Sequence, residues 1–404
     1  MSRLVVVSCG RLLSKHNLQW RAKVIWWGLS LCLKGLSHKR VVIGVATVDG
    51  CYFLESDVGR GEWVRRGPYL SGESVNSLRY DVHSGSLYAA TLTEGVFVSR
   101  DLGGAWKLSS RGLHVRKAWT IGVDPHKEGR LYVGTQYGHL FRSDDSGASW
   151  VEVTSLYDAP HRMEWGVDWG MGTLGLAIHT VKFDHEREGR FYIIASGNGV
   201  YRTDDDGESW KPLRSGLLEG CQAFNQRSQA GAGGGESLET HLRTVHKCAH
   251  KIALSGRDPS RLYQQNHCGV YSSQNSGEAW YDRSPDDEHR HGFGITVTDD
   301  DTVYTVPAYQ GICGEHNSCV RGELKVYRGR RGGGVWEALG AGLPRSVHTC
   351  VLRDALSSDS LEPPGVYFGT TSGEVFASVD GGDSWRRLLG GVSRIQGVES
   401  FVVD

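Results

Sequence analysis

The stretch Thr203–Trp210, TDDDGESW, decides the fold because it recurs. Its pattern, Ser/Thr-x-Asp-x-Gly-x-x-Trp, returns as SRDLGGAW at Ser99–Trp106, SDDSGASW at Ser143–Trp150 and SVDGGDSW at Ser378–Trp385. A fifth copy, SQNSGEAW, keeps Ser273, Gly277 and Trp280 but carries Asn275 at the Asp position. These residue types make a tight turn: the Asp accepts from backbone N–H groups, the Gly permits a left-handed backbone, and the Trp offers a large ring to bury between sheets.

Working outward from each box, two short β-branched and aromatic runs lie upstream, a third leads into the box and one lies downstream. Around Trp106 these are VNSLRYD, SLYAATL, GVFVS and the start of a fourth strand after the box. The same order surrounds Trp150, Trp210 and Trp280, and recurs around Trp336 without the box consensus and around Trp385 with it. For Trp385 the first run is HTCVLRD, ending at Asp354. Repeats of roughly 45–70 residues with four strands each predict a β-propeller. Counting Trp63 as well gives an all-β, seven-bladed propeller of four-stranded antiparallel blades. The unit around Trp63 has only three strands of its own, so Ile395–Val403, IQGVESFVV, is predicted to supply the fourth and close the ring.

Composition agrees. Apolar content of 39%, charged content of 23%, and 55 Gly and 13 Trp against 10 Pro fit a globular chain of many turns and aromatic anchors. Residues 1–40 hold eight Lys/Arg and no acid, leaving 37 basic against 46 acidic residues in the remainder. That mildly acidic body argues against nucleic acid as a partner. Residues 1–40 read as a basic extension, disordered or targeting, and 41–404 as a single propeller domain. The apolar run Val24–Leu33 is too short to span a bilayer, so stable membrane insertion is not expected. Nine Cys without a CxxC pair point to neither a zinc ribbon nor a disulfide scaffold, and make a reducing, cytoplasmic compartment the default expectation.

The boxes resemble the Asp-box (BNR) repeat of sialidase-like and YVTN-BNR-like propellers. The resemblance implies that the boxes sit on the outer edge, away from an active site, so that Asp101, Asp145, Asp205 and Asp380 are structural. It covers the repeats from about residue 41 onward and stops short of the sialidase active site. No Arg-Ile-Pro segment precedes the first box, and sialidases have six blades rather than seven.

Strand direction alternates within a blade, so the boxes, as turns between third and fourth strands, mark one rim. The long insertions 155–177, 214–245 and 309–322 all fall on the opposite rim, where loops on a rigid ring usually carry binding. The first insertion brings His161, Arg162, Glu164, Trp165, Asp168 and Trp169 within nine residues. Its Trp pair reads equally as a stacking platform for a ligand or as an anchor for the loop. The second returns through His246, Cys248 and His250 toward a turn, Gln264-Gln265-Asn266-His267-Cys268. The expected ligand-binding residues are His161, Arg162, Trp165, Trp169, His246, His250, Gln264, Gln265, Asn266 and His267.

A zinc ion would need one pair from His246, Cys248 and His250 plus His267, Cys268 or His241, because three alternate strand residues span about 13 Å. No zinc-motif spacing is present, so neither metal nor cofactor is expected. The leading functional reading is a module that binds a glycan or a peptide on the long-loop face. The alternative is a glycoside hydrolase on the same face, drawing its two carboxylates from Glu164, Asp168, Glu239 and Asp287. A third reading is an assembly factor without chemistry. Oligomeric state is not legible in the sequence.

Overall fold

The structure is a computed structural model and describes residues 39–165, 176–218, 247–308 and 320–404. Seven four-stranded antiparallel sheets follow one another along the chain. In blade 2 the order is Val75–Asp81, Ser86–Thr91, Val96–Ser99 and Lys107–Leu108. Blade 3 repeats it with Ala118–Val123, Leu131–Thr135, Leu140–Ser143 and Val151–Glu152, and blade 4 with Ile178–Phe183, Phe191–Ala195, Gly199–Thr203 and Lys211–Pro212. Blades 5, 6 and 7 begin with Ala249–Leu254, Gly292–Val297 and Leu356–Ser358. These first strands pack against one another in succession round the ring and form its inner wall.

The ring closes as predicted. Ile395–Val403 pairs along Arg40–Thr47, from Arg40 opposite Val403 to Thr47 opposite Ile395, and supplies the inner strand of blade 1. Ile395 and Val398 are buried, and the Phe401 ring stacks on Tyr80 of blade 2 at 4.4 Å. This pairing covers the inner edge of blade 1, so the sheet edges that remain are the outer strands of the blades.

Each box folds into the same turn. In the first-quoted copy, Thr203 Oγ1 donates to Asp205 Oδ1 (2.7 Å) and accepts from Gly207 N (2.9 Å), while Ser209 N donates to Asp205 Oδ1 (2.9 Å). Ser273, Asn275, Gly277 and Ala279 reproduce this set, so an amide oxygen replaces the carboxylate without altering the turn. Asp206 and Gly207 both have positive φ (59° and 90°), which is why glycine occupies the fifth position of every box. The Trp rings join neighbouring blades: Trp150 Nε1 donates to Ser109 O (2.6 Å) and Trp280 Nε1 to Leu213 O (3.2 Å), each carbonyl lying at the end of the preceding blade. Each of these Trp carbonyls fills the space that a Cβ would need on Gly112 or Gly216.

Blade 7 departs from the expected register. Val347–Thr349, which overlaps the start of the run read as its first strand, instead pairs with Val320–Gly322 in a separate two-stranded ribbon on the long-loop rim. The inner strand starts only at Leu356: Thr371 N bonds Cys350 O and Gly369 N bonds Ala355 O, so Val351–Asp354 bulges out between carbonyls whose partners are two residues apart. The excess residues carry Arg353 and Asp354 to the axis.

Candidate functional site

The inner strands share a feature that periodicity does not reveal. Pairing shifts by one residue between Val75 and Ser77, Ala118 and Thr120, Ile178 and Thr180, Ala249 and Lys251, Gly292 and Ile295, and between Ile395 and Gly397 in blade 1. A β-bulge frees one residue from the ladder and re-aims its side chain. Asn76, Trp119, His179, His250, Phe293 and Gln396 occupy these positions near the long-loop end. His250 stacks on Phe293 at 4.8 Å, and the Arg353 guanidinium lies 5.5 Å from the Phe293 ring.

Below this tier, charged side chains from several blades meet at the axis. Lys251 pairs with Asp354, Arg79 pairs with Glu399, and Arg79 also approaches Asp354 (3.8 Å). Lys182 completes the group. It retains some solvent access, yet burial and the nearby Arg79 bring its pKa down to about 8, against a smaller opposing pull from Glu399. Burial likewise drives Lys251 well below the ordinary lysine value, reinforced by Arg79 and Lys182.

A second constellation lies on the rim at blade 3. His139 Nδ1 is 2.6 Å from Glu152 Oε1, His114 Nε2 is 3.5 Å from Glu152 Oε2, and the Tyr157 hydroxyl donates to Glu152. Burial works to raise the Glu152 pKa, but hydrogen bonds from Tyr157 and His139 and the charges of His139 and His114 outweigh it and hold the carboxyl below its usual range. Burial, then the bond to Glu152, push Tyr157 up to about 12.

The predicted site residues divide. Arg162 is half-buried over the rings of Trp165 (4.5 Å) and Tyr157 (5.4 Å), and His161 is exposed with φ of 64° at the start of a short 3-10 helix, Arg162–Glu164. Trp165 is buried, with its Nε1 donating to Tyr201 Oη (3.0 Å). It is an anchor for the crossing rather than an open stacking platform, since the ring packs beside Leu156, Ala159 and Leu176. Asp287 is exposed and ion-paired to Arg290 (3.3 Å). The side chain of Glu164 and all of Asp168, Trp169, Glu239 and His246 lie outside the described residues.

The blade 5 turn is corrected more fully. Gln264, Gln265, Asn266, His250 and His267 are all buried, so they do not present an open ligand surface. Gln265 ties the turn together, donating to Arg290 O (2.9 Å) and accepting from Thr305 Oγ1 (2.8 Å); Asn266 Oδ1 accepts from Cys268 N (2.9 Å). Cys268 is disulfide-bonded, against the expectation from Cys spacing, and is removed from the possible thiolate ligands. The turn's polarity serves a strand end whose backbone would otherwise be unsatisfied.

No family model matches the chain. It is 23% identical over 272 residues to the oligoxyloglucan-reducing end-specific xyloglucanase of Emericella nidulans, an alignment covering 62% of this chain and 31% of that protein. It is 26% identical over 284 residues to a probable enzyme of the same description from Neosartorya fischeri, covering 69% of this chain and 28% of that one. The chain thus spans less than a third of the length of these curated relatives. Among solved structures, an ancestral GH74 enzyme superposes with a TM-score of 0.54 at 15% identity, over 78% of this chain and 38% of the other. That likeness concerns the fold. Within the described residues no helix is long and apolar enough to cross a membrane.

Sequence reasoning missed Glu152, His139 and Tyr157, and also the axial charges. Aligning the inner strands by column would have exposed Asn76, Trp119, His179, His250 and Phe293 as one recurring position.

Proposed function

We infer that this chain is a glycoside-hydrolase-type propeller that binds a glycan of the xyloglucan class on its long-loop rim and cleaves it there. The observation that carries this reading is the similarity to two oligoxyloglucan enzymes across most of the chain. It favours hydrolysis over a pure binding module.

Chemistry narrows the carboxylates. Glycoside cleavage asks one group to be a protonated acid at working pH while its partner stays ionised. Glu152 is held ionised by Tyr157 and His139, and Asp354 and Glu399 are each tied to a cation. Asp124, whose pKa burial raises, caps a turn on the box rim through His126 N (2.9 Å). We take the acid and its partner from the first crossing, Glu164 and Asp168, with Glu239 and the exposed Asp287 as further candidates and His161 and Arg162 positioning the glycan.

Purified protein incubated with xyloglucan oligosaccharides is expected to release reducing sugar. Glu164→Gln and Asp168→Asn should each lower kcat by about 10²–10⁴ with thermal unfolding unchanged. Glycan binding without turnover in the wild type would return the protein to the ligand-binding reading, and neither binding nor turnover would overturn both.

A further inference from the structure

We propose that Cys248, His250 and His267 form a metal site for a borderline d-block divalent ion, zinc first among them, at the long-loop end of blade 5. One ligand atom from each residue lies within 4.8 Å of the others, and all three residues are buried. A tetrahedral zinc ion with bonds of 2.0–2.3 Å needs these atoms about 3.4–3.6 Å apart, which small side-chain rotations supply.

The surroundings are arranged as a metal's outer shell. His250 Nδ1 lies 2.6 Å from Gly292 O, and a carbonyl only accepts, so Nδ1 carries the proton and Nε2 keeps a lone pair. That Nε2 is fully buried without a hydrogen-bond partner. An unpaired buried imidazole nitrogen carries a desolvation cost that a metal bond would relieve, and an Nδ1–H donated to a carbonyl is the usual support for a ligating imidazole. Cys248 O accepts from His267 N (2.8 Å), which fixes the two ligand backbones to each other. The Gly197 amide faces the Cys248 sulfur and can donate to a thiolate.

A fourth group stands close by. His291 Nδ1 is 3.2 Å from His267 O, leaving His291 Nε2 buried and without a partner, and the His291 ring is 4.7 Å from that of His267. Either His291 or a water fills the fourth position. The contrasting group at blade 3, His114, His139 and Glu152, also has ligand atoms within 4.8 Å, but its atoms already bond one another and Tyr157.

One thiolate and two imidazoles suit zinc, with cobalt(II) as its spectroscopic stand-in. The test uses the whole chain without a polyhistidine tag, stripped with chelator and titrated with Co²⁺ and then Zn²⁺. The expected result is about one equivalent bound, a thiolate-to-cobalt charge-transfer band, intense tetrahedral visible bands, and displacement of both by zinc. Cys248→Ser should abolish the charge-transfer band, and His267→Gln should weaken binding at least tenfold. If one variant fails to fold, the other decides, and His250→Gln, which should likewise abolish the tetrahedral cobalt bands, is the further test. Failure to bind cobalt, or binding without a thiolate band, overturns the proposal. Neither outcome depends on glycan turnover.

Discussion

The two rims of this ring use polar residues in opposite ways. On the box rim, one local solution is stamped repeatedly: a side chain four residues earlier, Asp or Asn, accepts from a turn amide, as Asp205 does for Ser209 and Asn275 for Ala279. At the other end and along the axis, polar groups find partners in other blades, as Lys251 does in Asp354 and Arg79 in Glu399, or find none, as with His250 Nε2. Local satisfaction makes a turn robust and chemically inert. Satisfaction by distant partners ties each group's state to the whole ring, where pKa values shift and ligands compete.

The most severe break of this contrast is removal of the closing strand. Deleting residues 395–404 exposes the inner edge of blade 1 and withdraws the partner of Arg79. Loss should exceed about 5 kcal/mol, comparable with the whole stability of a domain. Circular dichroism should then show no cooperative thermal transition; an unchanged midpoint would contradict ring closure.

Next in size is Trp280→Ala, which removes a buried ring and its bond to Leu213 O. Urea unfolding should report a loss of about 3–5 kcal/mol. Because this Trp belongs to the structural rim, cobalt binding by the folded fraction should be unaltered, and a coupled loss would show that the rims are less separate than described.

The smallest effect has the opposite sign and sharpens the axial half of the comparison. Lys182 has a folded pKa of about 8 against an ordinary 10.5. Between those values the unfolded chain holds a proton that the folded protein has released, so stability rises with pH across that window. Below pH 8 the folded protein carries the cost of a crowded charge. Lys182→Met should therefore stabilise at pH 7 by about 1–2 kcal/mol, allowing for partial solvent screening. The gain should fade between pH 8 and 10.5 when midpoints are compared across pH, and a gain that grew with pH would contradict the assignment.

By itself the sequence determined the number of blades, their strand order, the closure by Ile395–Val403 and the rim that holds the long crossings. These depend on local turn chemistry and on alternation along a strand, both carried by residues a few positions apart. It also placed Cys248, His250 and His267 among several ligand-capable residues on one rim, but expected no metal there and could not say which of them converge. Tertiary structure alone decided that Trp165 is an anchor, that Gln265 staples a strand end, and that bulges and the excess Val351–Asp354 segment gather residues of several blades at the axis. Arg79 and Glu399 are separated by 320 positions in the chain and meet only because the ring closes. A bulge costs a strand one residue of register without altering its composition, so the distinction between a buried spacer and a side chain aimed at the axis exists only once the strands are paired.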